Sequence, residues 1–122
     1  MTIHKSAEDY LEAMLMLKEE RGYIRSIDVA EKLGVTKPSV SYATKRLRES
    51  GYISLDAAGM IVLLPPGQEI AECIYERHKL LTELLIGLGV NPDTARADAC
   101  KIEHDLSAET FDAIRAHAQQ YR

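Results

Sequence analysis

The sequence predicts a mainly helical protein, in which a winged helix-turn-helix domain is followed by an all-helical second domain. Three observations predict this architecture. Apolar residues recur with helical spacing along most of the 122 residues. A glycine at position 34 separates two short helical patterns, and two short apolar runs after residue 51 have the spacing of a hairpin. We place the domain boundary after Pro66, which gives domains at 1–66 and 67–122.

Two predicted helices precede the tight turn. The first begins at Ser6, which can cap it, and ends at Arg21 and Gly22. The second is short, with Ser26 as its expected N-cap and Gly34 directly after its last residue. Because glycine adopts the left-handed conformation that ends many helices, the next helix can follow at once.

A third helix and a hairpin complete the predicted winged domain. Thr36 is a suitable N-cap, and Pro38 belongs in a first helical turn. The inward-facing stripe of this helix consists of Val40, Ala43 and Leu47. After the helix ends at Gly51, residues 52–55 and 60–64 are apolar runs around a short turn, which predicts the wing.

The second domain is predicted as three helices. Its Pro-Pro-Gly segment at 65–67 breaks the chain, and a long helix follows from residue 68 to about 88. Two shorter helices run to about residues 104 and 120, with Asn91 and Ser107 as N-caps. The long helix and those after it carry more leucine and isoleucine than a small winged head can cover. That excess predicts a twofold dimer.

The net charge of −4 is unevenly distributed. Residues 1–64 carry nine basic and nine acidic side chains, whereas residues 65–122 carry six basic and ten acidic ones. The whole negative excess therefore lies in the second half. Four cations cluster in the third helix without an acid between them: Lys37, Lys45, Arg46 and Arg48. A local basic patch on an acidic chain is typical of binding a polyanion at one face.

The third helix is the predicted reading helix, because the second helix of this motif enters the major groove of double-stranded DNA. Its exposed N-terminal positions would meet base edges: Lys37, Pro38, Ser39, Ser41 and Tyr42. The cations further along are better placed for phosphates: Lys45, Arg46 and Arg48. A solvated basic face would explain the cluster alone. The turn glycine and the wing favour DNA binding instead.

A second group of residues has the chemistry of a metal site. Three candidate ligands share one helical face at i, i+3 and i+4: Cys100, Glu103 and His104. Three more lie elsewhere in the chain: Asp9, Glu12 and His78. Thiolate, carboxylate and imidazole together suit a borderline first-row metal. Taken separately, the last three have ordinary explanations as a first-turn acid, a surface glutamate and a packing histidine.

Five segments carry a family resemblance: SAEDYLE at 6–12, DVAEKL at 28–33, PSVS at 38–41, ERHKLL at 76–81 and ACKIEHDLS at 99–107. In these motifs the chain resembles the diphtheria toxin repressor family of metalloregulators, and it is more similar to the manganese transport regulator branch. The resemblance implies a homodimeric repressor of metal homeostasis genes that binds a palindromic operator. It also implies that 67–122 is a dimerisation and metal-binding domain, and that the six candidate ligands are the metal positions.

The chain departs from both branches of that family. It has Cys100 where the manganese branch has a carboxylate, and Asp9 where the iron-responsive members have methionine. Arg96 and Thr82 stand at two positions of the iron members' ancillary site. We also expect a two-domain form without the SH3-like third domain of the longer members. Because the thiolate of Cys100 favours softer ions than manganese(II), we expect iron(II), with manganese(II) close behind. Zinc(II) or cobalt(II) can occupy such ligands in purified protein.

Composition and the distribution of apolar residues bear on membrane association and on the state of the cysteines. No apolar stretch reaches the roughly 20 residues of a membrane span, and charged residues precede any apolar run, so we expect a cytoplasmic protein without a membrane partner. The two cysteines, Cys73 and Cys100, favour free thiols or one metal ligand over a disulfide.

Two other functions fit parts of the pattern. A winged-helix regulator that responds to an organic ligand or a partner protein would bind DNA independently of metal. A metalloenzyme could use carboxylates, histidines and a cysteine around an ion to activate water. The chain lacks a glycine-rich phosphate loop and a nucleophile elbow, so we do not expect an enzyme.

Overall fold

The computed structural model describes residues 5–120. Within that range the elements are α1 (Lys5–Arg21), α2 (Ser26–Leu33), α3 (Lys37–Glu49), β1 (Ile53–Leu55), β2 (Ile61–Leu63), α4 (Pro65–Gly87), α5 (Pro92–Ile102) and α6 (Ala108–Gln120). The predicted mainly helical class with a winged helix-turn-helix is confirmed. The chain divides into two compact units, Met1–Glu72 and Cys73–Arg122, and the division falls within α4. The predicted domain boundary after Pro66 stays a prediction.

The first unit is built around side chains from the three N-terminal helices and the hairpin. Its largest fully buried apolar side chains are Leu11, Met14, Ile24, Val29, Val40 and Ile53. The antiparallel strands pair Ile53 with Leu63 and Leu55 with Ile61. The Ile61 N–H also donates to the Ile24 carbonyl at 2.9 Å, which joins the wing to the segment between α1 and α2.

The turn between α2 and α3 forms as the sequence predicts. Gly34 has φ of 67°, and its N–H donates to the Ala30 and Glu31 carbonyls at the end of α2. Thr36 then caps α3, its Oγ1 accepting from the Ser39 N–H at 3.2 Å. These two contacts end one helix and begin the next within three residues.

Two predicted N-caps are wrong. Ser26 is the first residue of α2, and Arg25 occupies the N-cap position without a side-chain hydrogen bond to the helix. Ser6 likewise lies inside α1, which already includes Lys5. At the start of α2, the Arg25 side chain instead holds the Asp28 carboxylate at 3.0 Å, so an ion pair in the first turn takes the place of a hydroxyl cap.

The predicted break at 65–67 is also wrong, because α4 begins at Pro65. The first N–H groups of a helix have no partner within it, so prolines are tolerated in a first turn. Gly67 is needed at this point, since a Cβ there would lie 2.2 Å from the Tyr52 carbonyl oxygen. The wing and the first turn of α4 therefore meet through backbone.

The second unit contains the rest of α4 with α5 and α6. Asn91 caps α5 by accepting from the Asp93 N–H at 2.9 Å, and Ser107 caps α6 by accepting from the Thr110 N–H at 3.1 Å; both caps are as predicted. The buried apolar residues of this unit are Ile74, Leu81, Ala95, Ala99 and Phe111. Across residues 5–120, no helix is long and apolar enough to cross a membrane.

Candidate nucleic-acid interface and metal centre

Helix α3 presents its predicted reading residues to solvent. All eight are exposed: Lys37, Pro38, Ser39, Ser41, Tyr42, Lys45, Arg46 and Arg48. Val40 and Leu47 face the core as predicted. The third buried residue of α3 is Thr44 instead of the predicted Ala43. The Thr44 hydroxyl donates to the Ser41 carbonyl at 3.1 Å, which satisfies the buried polar group and explains its place in an apolar stripe.

Two of the exposed residues on α3 are paired with each other. Tyr42 is 64% exposed, and the Arg46 Nη1 donates to its hydroxyl at 3.1 Å. The Arg46 guanidinium also lies 5.7 Å from the centre of the Tyr42 ring. Sequence reasoning assigned these residues to separate tasks, and the i, i+4 spacing that pairs them was the available signal.

The helix before the reading helix carries a buried acid. Asp28 on α2 is 5% exposed, and its carboxylate is bound by Arg21 at 2.9 Å and Arg25 at 3.0 Å. The hydrogen bond from Arg25 is the main reason why the pKa of Asp28 is lowered, although burial acts in the opposite direction. Two permanently charged guanidiniums thus neutralise the one buried acid of α2.

Three predicted metal ligands come together inside the second unit. Glu103, directly after α5, is 0% exposed. Its Oε2 lies 2.9 Å from His78 Nδ1, and its Oε1 lies 3.4 Å from Nε2 of His104, whose side chain is 1% exposed. Residues from α4 and from the turn after α5 therefore enclose one carboxylate between two imidazoles.

The donor set around Glu103 fits a divalent transition metal. Its Oε1 is buried and makes no hydrogen bond to any other residue in the range 5–120. Leaving a buried carboxylate oxygen without a partner is costly, and imidazole and carboxylate ligands suit first-row divalent ions. A cation beside Oε1 would satisfy the carboxylate that the two imidazoles leave incompletely paired.

The other three candidate ligands have different surroundings. Cys100 lies on α5, one turn before Glu103, and is exposed. No disulfide joins it to Cys73. On α1, Glu12 is buried at 6% exposure. Asp9 is partly buried and lines a cavity of about 650 Å³ that also includes Ser39 and Tyr42 of the reading helix.

Sequence reasoning missed Arg77, which contacts the segment that carries the ligands. Its Nη1 donates to the carbonyl oxygens of Glu103 at 3.0 Å and Leu106 at 2.8 Å. The residue sits directly before His78 in the ERHKLL motif. A cation beside a candidate ligand was the available signal, but the contact with Glu103, 26 residues further on, could not be seen without the fold.

Two family models match consecutive parts of the chain. Residues 2–58 match the model described as iron dependent repressor, N-terminal DNA binding domain. Residues 65–122 match the model described as iron dependent repressor, metal binding and dimerisation domain. The unit with the exposed basic helix and the unit with the buried carboxylate thus correspond to a DNA-binding and a metal-binding domain.

Individual proteins are also similar to this chain. It is 40% identical to the transcriptional regulator MntR of Salmonella typhimurium over 114 residues, which cover 93% of this chain and 73% of that protein. The manganese regulator SloR superposes with a TM-score of 0.82 at 28% identity, covering 98% of this chain and 55% of SloR. A manganese-dependent transcriptional repressor in complex with manganese gives a TM-score of 0.83 at 27% identity, with coverages of 93% and 52%. The chain spans about half the length of these two structures.

Proposed function

This chain belongs to the iron-dependent repressor family, and we propose that it represses transcription when a divalent transition metal is bound beside Glu103. Members of this family are DNA-binding repressors rather than enzymes, and they form homodimers through the second domain. One observation carries the proposal for the site. The Glu103 carboxylate is fully buried between two imidazoles, with one oxygen left without a hydrogen bond in the described chain.

The proposed ligands come from both domains. From the second domain they are Cys100, Glu103, His104 and His78; from α1 they are Asp9 and Glu12. A bound cation would supply positive charge that offsets the cost of removing acidic ligands from water. Since a ligand shifts an equilibrium only by its differential affinity, the ion must favour the DNA-competent arrangement. At about 100 times its dissociation constant, it would contribute roughly 2.7 kcal/mol to that arrangement.

Helix α1 is the proposed link to DNA. Asp9 lines the same cavity as Ser39 and Tyr42 of the reading helix. An ion that restrains Asp9 would therefore act next to the reading helix. On α3 we propose that Lys37 and Tyr42 affect sequence preference, while Arg46 and Arg48 bind phosphates. Because the proposed binding partner is a DNA operator, we infer that the protein acts in the cytoplasm.

For the metal we propose iron(II), with manganese(II) as the competitor. The thiol of Cys100 supports iron(II), because thiolates favour softer ions than manganese(II). The names of similar structures support manganese(II), since one is a manganese regulator and another is a complex with manganese. Oxygen ligands from Asp9, Glu12 and Glu103 suit both ions.

A metal-titrated DNA-binding experiment tests the function. The operator would be a palindrome selected from random DNA, and affinity would be measured by fluorescence anisotropy with chelator, manganese(II) and anaerobic iron(II). The unmodified protein should bind tightly only with metal. Glu103→Gln should lose the response, whereas Glu109→Gln, an exposed acid in the same unit, should keep it. Tight binding in chelator would instead support a regulator of the organic-ligand type.

The dimer interface is proposed to include apolar residues that remain exposed in one copy of the second unit. Leu88 is 73% exposed, and Ile86 and Ile102 are also exposed. Surfaces of this kind are typical of homodimer interfaces. Leu88→Lys should shift the protein towards monomer in sedimentation velocity at micromolar concentration. A monomeric unmodified protein, with and without metal, would contradict this assignment.

A further inference from the structure

Two consecutive residues of α4 contact opposite ends of Glu103. The Arg77 Nη1 donates to the Glu103 carbonyl oxygen at 3.0 Å. The next residue, His78, lies 2.9 Å from Oε2 of the Glu103 side chain. The main chain and the carboxylate of one residue are therefore fixed by the same helix. This arrangement restrains both the position of Glu103 and the direction of its side chain.

One of the two carbonyls that Arg77 binds lies at the C-terminal end of α5. Helix α5 ends at Ile102, and Glu103 occupies its C-cap position. The last carbonyls of a helix lack intrahelical donors, and a cation near that end is favourable. By also donating to the Leu106 carbonyl at 2.8 Å, Arg77 fastens both ends of the turn in which His104 lies.

Arg77 is itself held in place by α6. Its guanidinium lies 5.1 Å from the centre of the Phe111 ring, and that of Arg115 lies 4.8 Å from the same ring. Arg115 also pairs with Glu76 at 2.8 Å. Phe111 is buried. The two arginines thus share one aromatic partner, but of these two only Arg77 donates hydrogen bonds to the described residues of the turn that follows α5.

We propose that Arg77 is a positioning residue for the metal centre, which it serves by fixing the backbone of residues 103–106. This inference rests on the proposed function, because it assumes that Glu103 and His104 bind the ion. Without the two hydrogen bonds, the turn is free to move and the Glu103 and His104 side chains lose their preset geometry. Partners that orient a metal ligand typically affect metal affinity by about 10–100-fold.

The test compares Arg77→Gln with Arg115→Gln in the metal-free full-length chain. Manganese(II) and cobalt(II) affinities would be measured by titration, the cobalt(II) absorption spectrum would be recorded, and thermal unfolding would be followed without metal. Arg77→Gln should weaken both affinities about 10–100-fold. Arg115→Gln loses the same ring contact and an ion pair, so it controls for packing. Its affinities and cobalt(II) spectrum should stay near those of the unmodified protein.

Two further variants complete the experiment. Arg77→Lys should give an intermediate affinity with shifted cobalt(II) bands, because an ammonium can donate to these carbonyls from a different position. Equal weakening by Arg77→Gln and Arg115→Gln, or no weakening by Arg77→Gln, would overturn the inference. If the glutamine variant does not fold, a lysine variant with unmodified affinity and spectrum overturns it.

The reference variant Glu103→Gln separates this inference from the proposed function. Failure of the unmodified protein to bind metal, or unchanged binding by Glu103→Gln, would remove the proposed site. Loss of binding in Glu103→Gln with unchanged binding in Arg77→Gln would remove only the role of Arg77.

Discussion

Two buried carboxylates, Asp28 in the first unit and Glu103 in the second, have partners of different chemistry. Asp28 in the first unit is bound by the guanidiniums of Arg21 and Arg25. Glu103 in the second unit is bound by two imidazoles and keeps one oxygen without a hydrogen bond in the described chain. Guanidiniums are permanently charged and imidazoles are not. The charge of Asp28 is therefore neutralised within its own unit, whereas Glu103 has unused capacity to bind a cation.

The partners of a buried acid distinguish a structural acid from a candidate ligand. Burial alone does not distinguish them, because Asp28 and Glu103 are both inaccessible to solvent. The nature of the partners does. In the first unit the charge of Asp28 is neutralised by Arg21 and Arg25, and the proposed DNA contacts are the exposed cations of α3. In the second unit the buried carboxylate of Glu103 is the proposed metal ligand.

The largest expected effect concerns thermal stabilisation by metal. At about 100 times its dissociation constant, manganese(II) or iron(II) should raise the unfolding midpoint of the unmodified protein by roughly 10 °C. Glu103→Gln should abolish this shift without lowering the midpoint of the metal-free protein, because an amide costs less to bury than a carboxylate. Asp28→Asn should lower the midpoint of the metal-free protein and keep the metal-dependent shift. A metal-dependent shift that persists in Glu103→Gln would mean that Glu103 does not bind the ion.

The next effect concerns the thiol near Glu103. Cys100→Ser should weaken iron(II), cobalt(II) and zinc(II) by more than about tenfold, because a direct ligand contributes more than an outer partner, and should affect manganese(II) much less. Cys73→Ser is the matched control, since it changes another exposed cysteine of the same unit. Cobalt(II) titration should show a thiolate charge-transfer band that disappears only in Cys100→Ser. Its absence from the unmodified protein would remove Cys100 from the ligand set.

The opposite substitution sharpens the choice of metal. Cys100→Glu places a carboxylate beside Glu103, as the resemblance to the manganese branch suggests. Manganese(II) should then activate DNA binding at lower concentrations than in the unmodified protein, and iron(II) should lose its advantage. Anisotropy titrations with both ions measure the change. An unchanged ranking of the two ions would show that Cys100 does not set the preference.

Local patterns in the sequence were sufficient for most of the fold. Gly34, Thr36, Asn91 and Ser107 each act through neighbours within five residues, so their roles could be predicted. The start of α2 could not, because its first turn is fixed by Arg21 and Arg25 converging on Asp28 instead of by a serine cap.

The candidate ligands were also accessible to sequence reasoning, since Cys100, Glu103 and His104 follow helical spacing. What the sequence lacked was burial and long-range contact. The contact between His78 and Glu103 and the hydrogen bonds from Arg77 to the turn after α5 join distant segments, so no local sequence pattern predicts them. Sequence patterns identify the groups that can bind an ion, and only packing shows how completely each is already satisfied.

A smaller effect is expected on the exposed side of the first unit. Arg46→Ala should weaken all DNA sequences alike and reduce the salt slope of binding by about one unit. Tyr42→Phe removes the hydroxyl that accepts from Arg46, so it should reproduce part of that loss and have little further effect in the Arg46→Ala background. Tyr23→Phe, an exposed phenol outside α3, is the control. Additive effects of Tyr42→Phe and Arg46→Ala would separate the two residues.

The smallest expected effect is the pH dependence of the Asp28 ion pairs. The hydrogen bond from Arg25 holds the pKa of Asp28 below the 3.8 of an ordinary aspartate. A carboxyl whose pKa is lower in the folded state stabilises the fold above the ordinary value, and this contribution is lost as pH falls through the folded value. Asp28→Asn should therefore lower the unfolding midpoint at pH 7, and the difference from the unmodified protein should shrink below about pH 4. Glu19→Gln, which changes an exposed acid on α1, should show little difference at either pH. A deficit in Asp28→Asn that is constant from pH 7 to pH 3 would mean that packing, and not the ion pairs with Arg21 and Arg25, accounts for the role of Asp28.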